Sequence, residues 1–299
     1  MISIIIPSWN TPRQWLSECI SSILAQTWTD WEVILVDDAS PTPLTRQDLP
    51  EGGLDQRFRI IRHKDNSGPG IARNTAVSQA RGEYIFTMDS DDVLEPQILE
   101  ELHGVLSKNP SLDCAYAMFK TFGAVETIWE MPVKTDRDMI VDQWMPGPGV
   151  LMRKSFYNRV GGYCEENIFR NGNEDWDFWM KAAEKGMSVS RVDKPLYRYR
   201  ISSESLSNST TKKTHYRTIN RMYEMHREFI DGNGMTDRFL YDGYFFSLPR
   251  CAAGELRTVI KGCLRHSKSI KDFIRCLAAV LKRIAQKILG ISMVTGVVF

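Results

Sequence analysis

The first hundred residues alternate between short apolar runs and segments in which apolar side chains recur at helical spacing. The apolar runs predict four buried strands, at 2–6, 31–36, 58–62 and 84–88. The segments between them predict two helices, at 11–26 and at 70–81, and Gly82 is expected to end the second one. Near-continuous apolar strands separated by helices are typical of a parallel sheet that is covered on both faces.

The rest of the chain is less regular at first and then becomes helical. A strand is expected at 112–119, a helix at 173–186 that ends at Gly186, and extended chain at 192–200. Beyond residue 214, apolar residues recur at helical spacing to the end. The pattern therefore predicts an α/β domain followed by a helical region.

Polar side chains follow three of the predicted strands, at the point where each strand ends. Pro7 and Ser8 end the first strand, Asp37 and Asp38 the second, and the acidic sequence DSDD at 89–92 follows the fourth. Parallel sheets bind ligands at the carboxyl ends of their strands. We expect these residues to meet at one edge of the sheet, where they would form a binding site.

The DSDD sequence has two interpretations that the residues alone leave open. Asp89 and Asp91 project to the same side of an extended chain. Two hard oxygen ligands next to a phosphate suit Mg²⁺ or Mn²⁺, which would neutralise a diphosphate leaving group. Alternatively, Asp91 or Asp92 caps a helix over 93–106, and Asp92 could be that cap even if the metal interpretation holds.

The other polar residues at this edge also allow two interpretations. Asp37 and Asp38 either form a turn or accept hydrogen bonds from a base N–H or a ribose hydroxyl, since a buried carboxylate at a strand end needs a donor. Arg73 either lies on a helix surface or faces the same edge and balances these acids. Gly68 and Gly70 would allow the backbone to approach closely there.

Glu174 and Asp175 begin the helix predicted at 173–186. They are either first-turn acids that favour the helix N-terminus or a pair in which one carboxylate removes a proton from an acceptor hydroxyl. Trp176 is either a core residue or a flat apolar face for a sugar ring. The five histidines have no metal-ligand spacing, and the patterns GxGxxG and GxxxxGK are absent from the sequence, so the chain offers carboxylate chemistry.

Seven segments in a fixed order give the chain a resemblance that no single motif provides. They are ISIIIPSWN, EVILVDDAS, GPGIARNTA, YIFTMDSDD, GGYCEEN, NEDWDFWMKAAEKG and YRYRISSESLS, and they extend from residue 2 to 207. Together they resemble the family 2 glycosyltransferases of GT-A fold. The resemblance implies a Rossmann-like, mostly parallel sheet with helices on both faces. It also implies a nucleotide-sugar-binding half at 1–110, an acceptor-binding and catalytic half at 111–213, and a helical, basic extension at 214–299.

The resemblance assigns donor and metal roles at the sheet edge. Asp89 and Asp91 match the DxD motif, which in the family holds the ribose and a diphosphate bound to Mn²⁺ or Mg²⁺. Asp38, with Asp37 beside it, matches the acid that reads the base. Pro7 and Ser8 match the segment that lines the nucleotide, and Arg73 matches the arginine of the family's ARN sequence.

The resemblance also assigns the acceptor side and shows two departures. Asp175 matches the catalytic base, and Glu174 matches its neighbour that contacts the acceptor, with Trp176 as a further candidate there. Cys164 stands where the family often has aspartate, so any bond that the aspartate made is lost. Arg200 stands where the family often has histidine. Arginine cannot ligate a metal, but it can pair with a diphosphate.

The function implied is inverting, metal-dependent transfer from a nucleotide sugar, expected to be a UDP-sugar, to a hydroxyl of a glycan or lipid-linked saccharide. Bacterial surface polysaccharide synthesis is the pathway that the family suggests. Two alternatives stay open: a protein of the same fold that binds a nucleotide sugar or a partner without turnover, and a nucleotidyltransferase. The retained acids argue against the first, and the lack of a glycine-rich, lysine-containing loop argues against the second.

Charge is uneven along the chain although the net charge is only +1, which gives no indication of nucleic acid binding. From residue 250 onwards, ten basic residues stand against Glu255 and Asp272. Between 268 and 289 the apolar and basic residues separate onto two helical faces. This helix is expected either to lie on a membrane surface or to pack on the body of the enzyme or on a second subunit, as in a homodimer.

The expected location is the cytoplasm, peripheral to the inner membrane. The six cysteines form no CxxC pair, and several lie at apolar helical positions, which is typical of reduced thiols. The chain opens directly on a predicted strand with no signal-peptide pattern, and the apolar stretch at its end is too short to span a bilayer.

Overall fold

A computed structural model describes residues 1–50, 56–130, 140, 146–202, 211–249 and 251–289. At 211–214 and 284–289 it describes the backbone without the side chains. The chain forms two compact units, Met1–Ser205 and Leu206–Phe299. The divisions predicted at 110 and 213 stay predictions. The boundary between the two units falls within 203–210, which lies outside the described residues.

The first unit contains a nine-stranded mixed sheet in the order β3-β2-β1-β4-β8-β6-β9-β5, with β7 paired to β6. The strands are β1 (Ile2–Ser8), β2 (Trp31–Asp37), β3 (Phe58–Arg62), β4 (Tyr84–Thr87), β5 (Val93–Leu94), β6 (Cys114–Gly123), β7 (Ile128–Trp129), β8 (Val150–Arg153) and β9 (Val189–Ile201). The four predicted strands of the first hundred residues are present, and their ladders are parallel. The later strands add antiparallel ladders on β4, β6 and β9.

In the described part of the first unit, five helices accompany the sheet. They are α1 (Arg13–Leu24), α2 (Pro69–Ser78), α3 (Ile98–Lys108), α4 (Lys154–Val160) and α5 (Glu174–Glu184). Strands β1 and β2 are buried along their whole length, because side chains of both faces are covered. The core cluster joins β1, β2 and β4 to α1 and α3. These features, with the fold comparisons below, confirm the predicted α/β class.

Helix α2 ends earlier than the sequence predicts. Its last residue is Ser78, and Gly82 lies beyond it, against strand β1. The amide of Gly82 donates to Ser3 Oγ at 2.8 Å, and a Cβ at Gly82 would lie 2.7 Å from that oxygen. Gly82 is therefore required by close approach to the sheet and not by a helix end, so the prediction was wrong at this residue.

The second unit is helical, as predicted. Its helices are α6 (Thr211–Met225), α7 (Arg227–Gly232), α8 (Thr236–Ser247), α9 (Leu256–His266) and α10 (Ile270–Leu289). They enclose a separate apolar cluster that includes Tyr216, Tyr241, Val259 and Cys263. In the part of the chain that is described, no helix is both long enough and apolar enough to cross a membrane.

Candidate active site

The carboxyl ends of β1, β2 and β4 meet at one edge of the sheet, as the sequence predicts. Ser8 pairs with Asp37 in the β1–β2 ladder, and the DSDD sequence follows β4 directly. Thr11 connects the two places, since its Oγ1 lies 3.1 Å from Ser8 Oγ and 2.7 Å from Ser90 Oγ. Pro7, the residue before Ser8, is a buried residue of β1.

Asp37 and Asp38 are both buried, and both hold loops. Asp37 accepts hydrogen bonds from the amides of Ser40 and Leu44 and from Arg62. Burial alone would raise the pKa of Asp37, but these hydrogen bonds outweigh it and hold the pKa below its usual value. Its position fits the turn-forming interpretation.

Asp38 anchors the segment that leads into α2. Its carboxylate accepts from the amides of Ser67 and Gly68 at 2.9 and 2.7 Å, and it lies 2.7 Å from His63 Nδ1. His63 Nε2 in turn lies 2.9 Å from Thr75 Oγ1 of α2. The reading of a nucleotide base by Asp38 stays a prediction, and His63 is a residue of this edge that sequence reasoning missed.

Arg73 lies at the centre of the site. Its side chain is buried, and its two terminal nitrogens donate at 2.7 Å to Asp89 Oδ1 and to Glu174 Oε1. Burial would lower the pKa of the guanidinium, but Asp89, Tyr163 and Glu174 outweigh it and raise that pKa. Of the two predicted placements, the structure has Arg73 facing the acids.

Close packing of α2 on α5 makes this bridge possible. Gly68 precedes α2 with a φ of 92°, and a Cβ there would lie 2.6 Å from the carbonyl oxygen of Arg170. A Cβ at Gly70 would lie 3.1 Å from Glu174 Cγ. The two glycines therefore bring the first turn of α2 against the first turn of α5, as their predicted role requires.

Glu174 and Asp175 form the first turn of α5 and differ in exposure. Glu174 is buried, whereas the side chain of Asp175 is open to solvent. Burial and the neighbouring Asp175 raise the pKa of Glu174 to about 7, although Arg73 opposes the shift. The low dielectric of the protein beside the Asp175 carboxyl also raises its pKa, and the charge of Arg73 again opposes the shift. An accessible carboxylate with a raised pKa is suited to accept a proton.

Trp176 does not offer its ring to a ligand. It is 4% exposed, and its indole Nε1 donates to the carbonyl oxygen of Ile140 at 2.7 Å. The predicted acceptor-binding role of Trp176 is thus corrected: the side chain points into the protein because it lies on the buried face of α5. The alternative interpretation, a core residue, describes its position.

Asp92 supports the DSDD turn and caps no helix. Its buried carboxylate accepts from Tyr197 Oη at 2.7 Å and from the amide of Arg200 at 2.8 Å. The next helix, α3, begins only at Ile98, because Val93 and Leu94 form strand β5. The helix-cap interpretation was therefore wrong, since strand β9 lies alongside and supplies the donors.

Arg200 also holds the DSDD turn. Its Nε donates to the carbonyl oxygen of Asp91 at 2.7 Å, and a terminal nitrogen lies 2.5 Å from Glu18 Oε2. The guanidinium also lies over the rings of Trp15 and Phe122. Pairing of Arg200 with a diphosphate stays a prediction, because in this structure Glu18 is its anionic partner.

Asp91 and Asp89 are the side chains that fit a divalent cation. The Asp91 carboxyl is half-buried, and burial together with the charge of Asp89 raises its pKa to about 6. Asp89 uses Oδ1 for Arg73. Within the described ranges, no group of three or more His, Cys, Asp or Glu side chains is arranged to hold a metal. A cation here would fit the donor set of two carboxylates only with further oxygen ligands, such as those of a diphosphate.

Asn74 is a second residue that sequence reasoning missed. Its Oδ1 accepts from Tyr157 Oη at 2.5 Å and from the amide of Tyr163 at 2.9 Å, and its Nδ2 donates to the carbonyl oxygen of Tyr163. Nδ2 also donates to Glu165, next to Cys164. Asn74 thus fixes the GGYCEE turn beside Glu174. Its place directly after Arg73 in GPGIARNTA was the one sequence signal, and that signal did not show these long-range contacts.

The family model described as Glycosyl transferase family 2 matches residues 3–170. The chain belongs to glycosyl transferase family 2. A second model, described as the N-terminal domain of galactosyltransferase, matches residues 145–205. This family 2 chain is a glycosyltransferase, as its named relatives are.

Several relatives resemble the family 2 chain over most of its length. The glycosyltransferase TuaG of Bacillus subtilis, named for teichuronic acid biosynthesis, is 28% identical over 75% of this chain and 90% of its own length. Chondroitin synthase of Escherichia coli is 29% identical over 74% of this chain but only 32% of its own length. Among solved structures, S. aureus TarS 1-349 in complex with UDP-GlcNAc gives a TM-score of 0.62 at 17% identity, over 97% of this chain and 92% of that one. The likeness to TarS confirms the GT-A fold of this family 2 chain.

Proposed function

We propose that this enzyme is an inverting, metal-dependent glycosyltransferase that moves a sugar from a UDP-sugar to an acceptor hydroxyl. The observation that carries the proposal is the double bridge of Arg73, which binds Asp89 of the DSDD turn and Glu174, the neighbour of Asp175. A leaving-group site and a proton acceptor are thereby held side by side. That pairing is what a single displacement at an anomeric carbon requires.

The acids at the sheet edge would hold the donor. Asp91 and Asp89 would together bind Mn²⁺ or Mg²⁺. The cation would supply countercharge for the departing diphosphate. Pro7, Ser8 and Asp38 would line the nucleotide. Arg73 would keep Asp89 oriented, because its guanidinium stays charged at any working pH and donates to that carboxylate.

Asp175 would remove the proton from the attacking hydroxyl. Its exposure lets a hydroxyl reach it, and its raised pKa brings it closer to the working pH, which is the condition for efficient general-base catalysis. Glu174, which Arg73 holds in place, would contact the acceptor and orient it. Attack from the face opposite the diphosphate, with one base and no covalent intermediate, would invert the anomeric configuration.

The donor and pathway follow from the relatives. TarS was crystallised with UDP-GlcNAc and with UDP, which supports a uridine nucleotide as the donor's leaving group. TuaG is named for teichuronic acid biosynthesis, and chondroitin synthase for a polysaccharide, which supports a polysaccharide pathway with a glycan or lipid-linked saccharide acceptor. Bacterial surface polysaccharide synthesis is the pathway we propose.

UDP release separates the proposal from its alternatives. The purified protein is incubated with a panel of UDP-sugars and Mn²⁺ or Mg²⁺, and released UDP is measured with and without a chelator. Metal-dependent release of UDP supports transfer. Tight binding of UDP, with no UDP released from the UDP-sugars, would indicate a binding protein. Release of pyrophosphate when the protein is given a nucleoside triphosphate and a sugar phosphate would indicate a nucleotidyltransferase.

A further inference from the structure

Helix α10 packs on the other helices of the second unit through one narrow face. Cys276 is buried in the apolar cluster of that unit, and Ala279 and Val280 pack against it. Arg283 donates to the carbonyl oxygens of Leu248 and Cys251. At roughly 100° per residue these four side chains fall in one arc of the helix.

A different arc of α10 is apolar and exposed. Its members are large side chains that are each about half exposed or more: Ile270, Phe273, Ile274, Leu277 and Leu281. They recur at spacings of three and four residues, so they form one stripe along the helix. This stripe lies beside the packing arc and is not used by the core of the second unit. Soluble proteins rarely leave so continuous an apolar surface uncovered without a partner for it.

Basic side chains border the exposed stripe. They are Lys268, Lys271, Arg275 and Lys282, and all four are exposed. The only acid from 268 to 289 is Asp272, whose carboxylate accepts from Ser269 Oγ at 2.7 Å. Lys268 pairs with Asp237, and the other three have no acidic partner within hydrogen-bond reach among the described side chains. The exposed surface of α10 is thus an apolar stripe with a row of positive side chains along one side of it.

We propose that α10 lies in the surface of an anionic lipid bilayer. The apolar stripe would enter the boundary of headgroups and acyl chains, and Lys271 and Lys282 would lie among anionic headgroups, whereas Arg275 lies over the ring of Phe245. The sign of the border favours lipid over a second copy of the chain. Two copies that joined antiparallel along this stripe would bring their basic rows together, and like charges would oppose the contact. The proposal does not depend on the transfer reaction.

Flotation of the full-length protein with vesicles tests the proposal. We expect binding to vesicles of phosphatidylcholine with phosphatidylglycerol at low salt, and much weaker binding to phosphatidylcholine alone or at high salt. Lys271→Gln with Lys282→Gln should lower the partition coefficient about 25-fold, since each base near an anionic surface contributes about fivefold. The matched control is Lys108→Gln with Lys185→Gln, two exposed lysines of the first unit, and it should bind like the wild type.

A second pair of substitutions tests the apolar stripe. Leu277→Gln with Leu281→Gln should lower binding at least about tenfold and leave the thermal unfolding midpoint unchanged, because both side chains are exposed. Wild-type binding by this variant, or absence of flotation by the intact protein, would overturn the proposal. A wild-type dimer that the same variant converts to a monomer, without vesicle binding by either, would overturn it in favour of a second copy.

Discussion

Arg73 donates one hydrogen bond to Asp89 and another to Glu174, each at 2.7 Å. Asp89 belongs to the turn after β4, and Glu174 to the first turn of α5, so one buried guanidinium joins the two parts of the candidate active site. A buried arginine that is bound by two carboxylates fixes their geometry and places a positive charge between them. The first prediction follows from that double role.

Arg73→Gln should move the pH dependence of transfer. The pair formed by Glu174 and Asp175 must lose a proton before Asp175 can act as a base, so activity should fall as the pH drops through the pKa of the pair. The pKa of Glu174 is about 7, and Arg73 lowers the pKa of both acids. Removing the guanidinium should therefore shift the acid limb of kcat/KM to higher pH, by about 1–3 pH units.

Arg73→Lys is the matched variant for this experiment. Lysine keeps the positive charge but cannot bind two carboxylates in the planar arrangement of a guanidinium. We expect an acid limb near that of the wild type together with a reduced kcat. An unchanged acid limb in Arg73→Gln, in a variant that still unfolds cooperatively, would separate Arg73 from the ionisation of the pair.

Asp175→Asn should lower turnover and spare donor binding. The amide keeps the shape of the side chain and loses its basicity, so kcat should fall about 10²–10⁴-fold, the usual contribution of a general base. The affinity for UDP, measured by calorimetry, should stay at the wild-type value. A loss of affinity as large as the loss of turnover would make Asp175 a binding residue.

Tyr197→Phe should loosen the DSDD turn. The variant removes the hydroxyl that donates to the buried carboxylate of Asp92, which should cost about 1–3 kcal/mol of unfolding free energy. UDP affinity in the presence of Mn²⁺ should fall as well. Tyr84→Phe is the control, because it removes a hydroxyl that accepts from Arg153 away from the site. It should reduce stability without any change in UDP affinity, and equal affinity losses in both variants would contradict the account.

Gly70→Ala and Gly104→Ala form a matched pair of helix substitutions. Gly104 has no neighbour within 4 Å of an added Cβ, so alanine there should stabilise α3 by about 0.5–1 kcal/mol. At Gly70 the new Cβ would lie 3.1 Å from Glu174 Cγ and 3.3 Å from Tyr163 Cβ. We expect Gly70→Ala to lower kcat at least about tenfold, because it displaces Glu174 from Arg73. Thermal unfolding measures the stability of both variants, and initial rates measure their kcat. A wild-type kcat in Gly70→Ala would contradict the expected displacement of Glu174.

Local sequence pattern was sufficient for the strands and for the edge where they end. Buried parallel strands are continuous apolar runs, and their polar ends mark the ligand edge without knowledge of any long-range contact. The pattern could not tell which face of α5 is covered, so it left Trp176 open. It also could not show that β9 pairs with β5 and supplies Tyr197 and Arg200 to the DSDD turn. Those contacts join residues far apart in the chain.

The role of Asn74 was missed for the same reason. Its partners, Tyr157, Tyr163 and Glu165, lie in a turn that is distant in sequence and is brought to α2 only by the packing of α5. The family resemblance singled out Arg200 as a replacement for histidine, and the structure places its side chain against the DSDD turn. Its pairing with Glu18 of α1 is a tertiary contact that no local pattern encodes.

The anomeric configuration of the released sugar tests the central claim most directly. The purified enzyme is given α-linked UDP-sugars, beginning with UDP-GlcNAc, in the presence of Mg²⁺, and slow hydrolysis with water as the acceptor is followed by proton NMR before mutarotation. The account predicts that the β anomer forms first, and that both a chelator and Asp175→Asn abolish its formation. Initial release of the α anomer, or hydrolysis that persists in the chelator and in Asp175→Asn, would contradict it.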